Sequence, residues 1–159
     1  MIIIGLGNPG KKYEGTRHNV GYMIIDQLKK EELGDFILAK TDTFMNLSGQ
    51  AVKKLTKNYK LKTKNLIVIH DDIDIPIGEF KMQKGRGAAG HKGVQSVIDA
   101  LGTNDFWRTR IGICPKTGKP ENVEKFVLQK FTKEELEILE RVISETASTI
   151  IGFTKSSQI

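Results

Sequence analysis

Met-Ile-Ile-Ile-Gly-Leu-Gly-Asn-Pro-Gly, residues 1–10, is the stretch from which the fold can be predicted. The β-branched run at 2–4 suits a strand that is buried on both faces of a parallel sheet. The glycines after it allow a tight loop, and Asn8 and Pro9 are typical turn residues. A titratable side chain, His18, follows this loop. Polar chemistry is therefore predicted at the carboxyl end of a first strand, where open α/β sheets usually carry their sites.

The same glycines match G-x-G-x-x-G, the dinucleotide-binding fingerprint. That fingerprint requires a helix that begins inside the glycines and an acid about 20 residues later, at the end of a second strand. Residues 11–15 have no apolar stripe and include another glycine, and the nearest acid, Asp26, lies in a helical pattern. A dinucleotide site is therefore disfavoured. A simple turn explains the glycines but not the polar residues that follow them.

Composition limits the classes of function. A chain of 159 residues with ordinary composition predicts one domain, residues 1–159, with a sizeable core. No apolar run approaches the ~20 residues of a membrane span. The single Cys114 excludes an internal disulfide, and no Cys/His spacing suggests zinc. We expect a cytoplasmic protein whose net charge of +6 favours a polyanionic partner such as nucleic acid.

Apolar periodicity predicts alternating strands and helices along the chain. The predicted helices cover 20–31 (ended by Gly34), the residues after an N-cap at Ser48, 94–101 (ended by Gly102), and a last segment that starts at a capping box over 132–135. The predicted strands cover 2–4, 36–39, 66–69, 79–83 and 106–113. This order predicts a single α/β domain with a mixed, mostly parallel twisted sheet flanked by helices.

A cluster of titratable residues follows the predicted central strand at 66–69, namely His70, Asp71, Asp72 and Asp74. Carboxylates at a strand end destabilise the fold unless they are solvated, paired or functional. A metal site is disfavoured, because no matching cluster of acids or histidines occurs elsewhere. The other interpretation is that one acid orients His18.

Two further stretches have both a structural and a functional interpretation. Asn46 is predicted just ahead of a helix N-terminus, where it could be a second capping residue or part of a site. The glycine-rich loop 84–93 contains Lys84, Arg86 and His91 and leads into a helix, an arrangement suited to an anion. His91 alone is more readily explained as structural. The lysines of 53–64, with no acid among them, form either a solvated face or a phosphate-contacting surface.

The motifs taken together are specific. In chain order they are Gly5-Leu6-Gly7-Asn8-Pro9-Gly10, Tyr13, Thr16-Arg17-His18-Asn19-x-Gly21, Thr43-Phe44-Met45-Asn46-x-Ser48-Gly49, His70-Asp71-Asp72-x-Asp74-x-Pro76-x-Gly78 and Ala89-Gly90-His91-x-Gly93. Over residues 1–131 the chain closely resembles the bacterial peptidyl-tRNA hydrolases.

The resemblance implies hydrolysis of the ester that joins a peptide to the terminal ribose of tRNA, without a metal or cofactor. It implies His18 as general base with Asp71 as its partner, which suits the chemistry of an imidazole oriented by a carboxylate. The remaining motif residues implied to bind substrate are Asn8, Tyr13, Asn46 and His91. The implied partner is tRNA that carries a peptide, bound by a monomer.

Two positions depart from the family pattern. The segment over 35–42 looks shorter than in typical members, and Lys92 stands where the family usually has a substrate-binding asparagine. We expect tRNA contacts among the basic residues near the motifs, Lys84, Arg86, Lys92, Arg108 and Arg110. The alternative function is that of a non-catalytic RNA-binding relative with the same fold.

Overall fold

The computed structural model describes residues 1–31 and 36–156. The five strands are β1 (Ile2–Gly5), β2 (Ile37–Lys40), β3 (Leu66–Pro76), β4 (Phe80–Lys84) and β5 (Trp107–Cys114). The five α-helices are α1 (Val20–Leu28), α2 (Ser48–Asn58), α3 (Lys92–Leu101), α4 (Val123–Val127) and α5 (Lys133–Ser156). Short 3₁₀ turns at Lys11–Tyr13, Arg17–Asn19, Met45–Leu47 and Thr63–Asn65 lie between them.

The strands form one sheet in the order β2-β1-β3-β5-β4. All neighbours are parallel except β4, which pairs antiparallel with β5. The predicted α/β class with a mixed, mostly parallel sheet is confirmed. No described helix has the length and apolar character needed to cross a membrane.

The helices cover both faces of this sheet. Because successive strand residues point to opposite faces, Ile3 and Ile67 pack with α1 and α5, whereas Ile2, Ile4 and Val68 pack with α2 and α3. The isoleucines of β1 are fully buried, as expected for a strand with covered faces. The core therefore consists of two apolar layers, one on each side of the sheet.

The close approach of α1 to the sheet depends on two glycines. A Cβ atom on Gly5 would collide with the backbone oxygen of Gly21, and one on Gly21 would collide with that of Ile69. The absence of side chains lets the start of α1 rest directly against the ends of β1 and β3. The turn Arg17–Asn19, which immediately precedes α1, is thereby held at the carboxyl edge of the sheet.

The central strand is longer than predicted. β3 does not end at Ile69 but continues to Pro76 in parallel pairing with β5, with a register irregularity between Asp72 and Pro76. β1 ends at Gly5, opposite Ile69. The residues of β3 after Ile69 therefore extend beyond β1, which leaves that side of the strand open to other parts of the chain.

The helix-end predictions had mixed outcomes. The capping box is confirmed, since the Thr132 and Glu135 side chains each accept a hydrogen bond from the other's backbone N–H, and Gly102 ends α3 in the left-handed conformation. The N-cap prediction for Ser48 is wrong. Ser48 is the first residue of α2, and its hydroxyl donates to the carbonyl of Met45. Helix α4 was not predicted, and the predicted helix end at Gly34 lies outside the described residues.

Candidate active site

A cleft of about 580 Å³ opens at the carboxyl edge of the sheet. It is lined by residues that come from separate parts of the chain. Seven of the residues predicted to form the site lie there together: Asn8, Tyr13, His18, Asn46, Asp71, His91 and Lys92. The loop after β1, the turn before α1, the 3₁₀ turn before α2, the extension of β3 and the start of α3 bring these seven side chains to one place.

His18 and Asp71 are in direct contact at the base of the cleft. Nδ1 of His18 lies 2.9 Å from each carboxylate oxygen of Asp71. Asp71 lies on the part of β3 that extends beyond β1, so the turn carrying His18 reaches it from the open side. An ionised carboxylate can only accept hydrogen bonds, so the His18 proton is on Nδ1 and Nε2 keeps a free lone pair.

His91 makes a second contact with the same carboxylate. Its Nδ1 accepts a hydrogen bond from the backbone N–H of Val94, which caps α3. The proton of the neutral ring is therefore on Nε2, which donates to Asp71 Oδ1 at 2.9 Å. The structural interpretation of His91 is thus correct but incomplete, because the residue both caps a helix and orients the Asp71 carboxylate.

The pKa values of the His18–Asp71 pair are shifted in opposite directions. Burial lowers the pKa of His18, but the charge of Asp71 and its hydrogen bond outweigh burial, so this pKa stands above 6.5, while the charge of Lys92 acts against the rise. Burial raises the pKa of Asp71, but the two histidines outweigh it and bring this pKa well below 3.8. Asp71 is therefore an anion at neutral pH, placed to stabilise a His18 imidazolium.

His70 is a third histidine beside this pair and is almost fully buried. Its Nδ1 donates to the backbone carbonyl of Asp71 at 2.7 Å, and its ring meets that of His91 edge-on with centroids 4.9 Å apart. Its Nε2 has no hydrogen-bond partner within the described ranges. Burial, followed by the nearby His91, lowers the pKa of His70 well below 6.5. The buried ring is therefore neutral at neutral pH.

Asn8 presents an amide of fixed orientation to the cleft. Its Oδ1 accepts a hydrogen bond of 2.7 Å from the backbone N–H of Met45, so its Nδ2 faces the other way. Two more hydrogen bonds join the Asn8 backbone to the Asn19 side chain. Nδ2 of Asn8 has no partner in the part of the chain that the structure describes, and both of its hydrogens are available to a ligand.

Asn46 and Tyr13 lie nearer the mouth of the cleft. Asn46 is exposed and lies inside the 3₁₀ turn Met45–Leu47, and the N-cap of the following helix α2 is Leu47, with no side-chain hydrogen bond at that cap. Its alternative interpretation as a capping residue is therefore wrong. The Tyr13 ring meets Phe44 edge-on at 6.3 Å, and Phe44 is 52% exposed. An amide and two aromatic rings thus stand where a substrate would enter.

Two supporting residues had been noted only as parts of a motif. Asn19 holds the Asn8 loop, as described above. The buried Arg17 donates to Glu135 at 2.7 Å and lies over the Phe126 ring at 4.0 Å, which ties the His18 turn to α5. In the sequence, the signal for Arg17 and Asn19 was their position on either side of His18. Their partners are distant along the chain: Asn8 is 11 residues from Asn19, and Glu135 is 118 residues from Arg17.

The candidate tRNA contacts divide into exposed and buried residues. Lys84 pairs with Asp105 at 2.8 Å, Lys92 pairs with Glu124 at 2.6 Å, and Arg86 is exposed. Arg108 and Arg110 are only 2% and 7% exposed, and Arg110 Nε donates to Asp72 Oδ2 at 2.7 Å. Their burial argues against both arginines as tRNA contacts. Both lie on β5, which is an interior strand between β3 and β4.

The grouping of His18, Asp71 and His91 contains atoms of the kind that bind metals. Each histidine nitrogen, however, already lies 2.9 Å from an Asp71 oxygen with a proton between them. Ligands around one Zn²⁺ at about 2.1 Å would lie roughly 3.4 Å apart in a tetrahedron. The cluster is therefore arranged as a hydrogen-bonded group, and the expectation of a metal-free site stays a prediction.

Comparisons with known proteins agree with this geometry. The family model described as peptidyl-tRNA hydrolase matches residues 2–36 and 30–158. The peptidyl-tRNA hydrolase of Thermodesulfovibrio yellowstonii is 43% identical over 173 residues, covering 95% of this chain and 90% of that protein. That of Pseudothermotoga lettingae is 40% identical over 166 residues, covering 94% and 87%. The crystal structure of the Acinetobacter baumannii enzyme superposes with a TM-score of 0.82 at 28% identity, covering 99% and 90%.

Proposed function

The chain belongs to the peptidyl-tRNA hydrolase family, and from this premise we propose that it hydrolyses the peptide–tRNA ester with His18 as the general base. The observation that carries the assignment of roles is the contact between His18 Nδ1 and Asp71, which leaves Nε2 of His18 free in the cleft. A neutral imidazole that has one nitrogen fixed by a carboxylate can accept a proton at the other.

In the first step, Nε2 of His18 takes a proton from a water molecule, and the water oxygen attacks the ester carbonyl carbon. The imidazolium that forms is stabilised by the Asp71 anion, which is itself held by His91. General-base assistance of this kind typically contributes about 10²- to 10⁴-fold to the rate. No covalent enzyme intermediate is needed, which agrees with the position of Cys114 outside the cleft lining.

The attack turns the carbonyl oxygen into an oxyanion, and in the second step hydrogen-bond donors stabilise this charge. Nδ2 of Asn8 is the best placed donor, because Met45 fixes its orientation, and the exposed amide of Asn46 is the second. Donors aimed at a developing oxyanion commonly give a larger rate effect than any other single group. When the intermediate collapses, the bond to the ribose oxygen breaks and His18 returns its proton to that oxygen.

The proposal also covers substrate binding, the oligomeric state and the place in the cell where the protein acts. Peptidyl-tRNA binds through its phosphates to exposed basic residues, among them Lys92 of the cleft lining and Arg86 of the loop before α3, while Tyr13 and Phe44 contact the substrate at the mouth of the cleft. The protein acts as a monomer of one domain, residues 1–159, in the cytoplasm where tRNA is used. The charge of +6 supports a polyanionic substrate.

The test is turnover of a tRNA that carries an N-blocked aminoacyl ester. We expect release of free tRNA without added metal and in the presence of a chelator. A non-catalytic RNA-binding relative would instead bind this tRNA and leave the ester intact. The presence of both His18 and Asp71, in hydrogen-bonding contact, disfavours that alternative.

A further inference from the structure

The positive charge of this protein is concentrated away from the catalytic residues. Residues 43–70 contain six lysines and no acid, and without these six the chain has 19 basic and 19 acidic residues. The lysine surface, as we call it, consists of Lys53, Lys54, Lys57, Lys60, Lys62 and Lys64, all of them exposed. It therefore carries a positive charge equal to the net charge of the whole chain.

None of these lysines forms an ion pair within residues 1–31 and 36–156. Beside the cleft the situation is different, because Lys84, Lys92 and Arg110 are each paired with an acid. Six exposed lysines without an ion-pair partner in these ranges therefore lie along α2 and the segment that follows it.

Two local features of the lysine surface are unfavourable for α2 and the turn that follows it. Lys53 and Lys57 are one turn apart on α2, where like charges repel one another across the helix surface. Lys60 follows the helix end with φ of 51°, a left-handed conformation in which glycine is the usual residue. The backbone of the turn is closed by a hydrogen bond from Leu61 N to the Thr56 carbonyl, so the Lys60 side chain is not needed for it. Lys57 lies in the last turn of α2, where the helix dipole favours a cation, but its repulsion with Lys53 would be relieved by an external anion.

The position of α2 relates this surface to the cleft. Asn46 lines the cleft, and α2 begins two residues later at Ser48 and extends for eleven residues, about 16 Å. A nucleic acid whose 3′ end reaches His18 would pass along this helix if it left the cleft on that side. A duplex presents roughly one phosphate charge per 1.7 Å of its axis, so several phosphates would lie within reach.

We propose that the lysine surface binds the phosphate backbone of the tRNA acceptor stem, as a second contact outside the cleft that holds the ester. This rests on the proposed function for the identity of the RNA. The lysines act on the substrate's affinity and not on the chemical step, since none of them lines the cleft.

The test uses the triple variant Lys53→Gln, Lys57→Gln and Lys60→Asn. Glutamine keeps good helix propensity on α2, and asparagine suits the left-handed position. The matched control, Lys29→Gln, Lys30→Gln and Lys155→Gln, removes the same charge from exposed positions on α1's end and α5, across the sheet. A Lys→Arg variant at 53, 57 and 60 keeps the charge and serves as the second control. Thermal unfolding of all variants shows whether the fold is intact.

Two substrates separate the surface from the cleft. One is a full-length tRNA with an N-blocked aminoacyl ester, and the other is the same ester on a trinucleotide that cannot reach α2. For the triple variant we expect KM for the full tRNA to rise about tenfold, with no change on the trinucleotide ester. The slope of log Kd against log salt for uncharged tRNA should fall by about 0.9 for each lost phosphate contact. The control variant and the arginine variant should resemble the parent protein.

If the triple variant and the lysine control have the same KM for the full tRNA, the proposal is overturned. The lysine surface would then be only a solvated face of the protein. A loss of activity on both substrates by the triple variant would also contradict it, because the lysines would then act on the cleft. Failure of the proposed function is a separate result: the parent protein would hydrolyse neither ester, while binding of uncharged tRNA still shows whether the lysine surface contacts RNA.

Discussion

His91 donates a hydrogen bond from Nε2 to Asp71 Oδ1 at 2.9 Å while its Nδ1 accepts one from the first turn of α3. The position of the Asp71 carboxylate, and with it that of His18, is therefore coupled to the N-terminus of a helix on the opposite face of the sheet. His91 has two separable roles, which predict different effects for two substitutions.

For His91→Asn, we expect kcat to fall about tenfold while stability is retained, because asparagine is a good N-cap but is too short to reach Asp71. For His91→Ala, we expect the same loss of kcat together with about 1 kcal/mol less free energy of unfolding, since the cap is lost as well. Kinetics on the blocked aminoacyl-tRNA and urea unfolding measure the two effects. Normal kcat in both variants would show that the contact with Asp71 has no part in the reaction.

For His18→Ala, we expect a folded protein that has lost about 10²- to 10⁴-fold in kcat, because water has lost its base. Binding of uncharged tRNA should be unchanged, which provides the control for folding. Near-normal turnover by a variant with an unchanged circular dichroism spectrum would remove His18 from the proposed role.

The dependence of the rate on pH tests the pairing of His18 with Asp71. The base must be neutral to act, so kcat/KM should rise with pH and level off above the His18 pKa, which Asp71 holds above 6.5. In Asp71→Asn the attraction that raises this pKa is absent, so the residual activity should have its midpoint at lower pH. A midpoint that stays in place, or greater loss of kcat in Asp72→Asn, would point to a different carboxylate.

Stability against pH tests the buried His70. Its pKa is lowered in the folded protein, so below about pH 6.5 the unfolded chain takes up a proton that the folded chain does not. The free energy of unfolding should therefore fall by up to about 1.4 kcal/mol per unit of decreasing pH from this group alone. His18 adds no such slope there, because its pKa is raised and its contribution is complete below pH 6.5. In His70→Asn the slope between pH 6 and pH 5 should decrease by about that amount.

The sequence was sufficient to predict the class of fold from local patterns, and seven of the residues that line the cleft from its motifs and their resemblance to a known family. Apolar runs fix the strands, and a loop after the first strand must lie at the carboxyl edge of the sheet. The extent of the central strand and the burial of two arginines could not be predicted, because they depend on how the strands pair with one another. Whether Asp71 lies at the end of β3 or within it is decided by how far β5 pairs with β3. The burial of Arg108 and Arg110 depends on which strand becomes the edge of the sheet.

The same limit applies to α4. Its five residues are too few for a periodic signal, and its N-cap Asn122, which accepts from Lys125 N, is recognisable only once the helix is known. Glu124 therefore did not enter the predicted site, although it lines the cleft and pairs with Lys92. This pairing bears directly on the expected behaviour of Lys92, which departs from the family pattern.

Lys92 and Glu124 form an exposed ion pair, with side chains 67% and 77% accessible, across the mouth of the cleft. Exposed pairs of this kind contribute little to stability, so Lys92 can exchange its partner for a substrate phosphate. We expect Lys92→Ala to raise KM several-fold with kcat nearly unchanged, and to reduce the salt slope of tRNA binding by about one unit. Glu124→Gln, which frees the lysine, should lower KM.

This pair of opposite effects distinguishes three roles for Lys92, each with its own kinetic result. A phosphate contact changes KM in both variants, in opposite directions. A lysine without a role changes neither constant. If Lys92→Ala instead lowers kcat about 100-fold at unchanged KM, the ammonium group acts on the transition state. In that case Lys92 supplies a donor to the oxyanion from a position where the family usually has an amide, and Glu124→Gln should raise kcat, because it removes the competing acceptor.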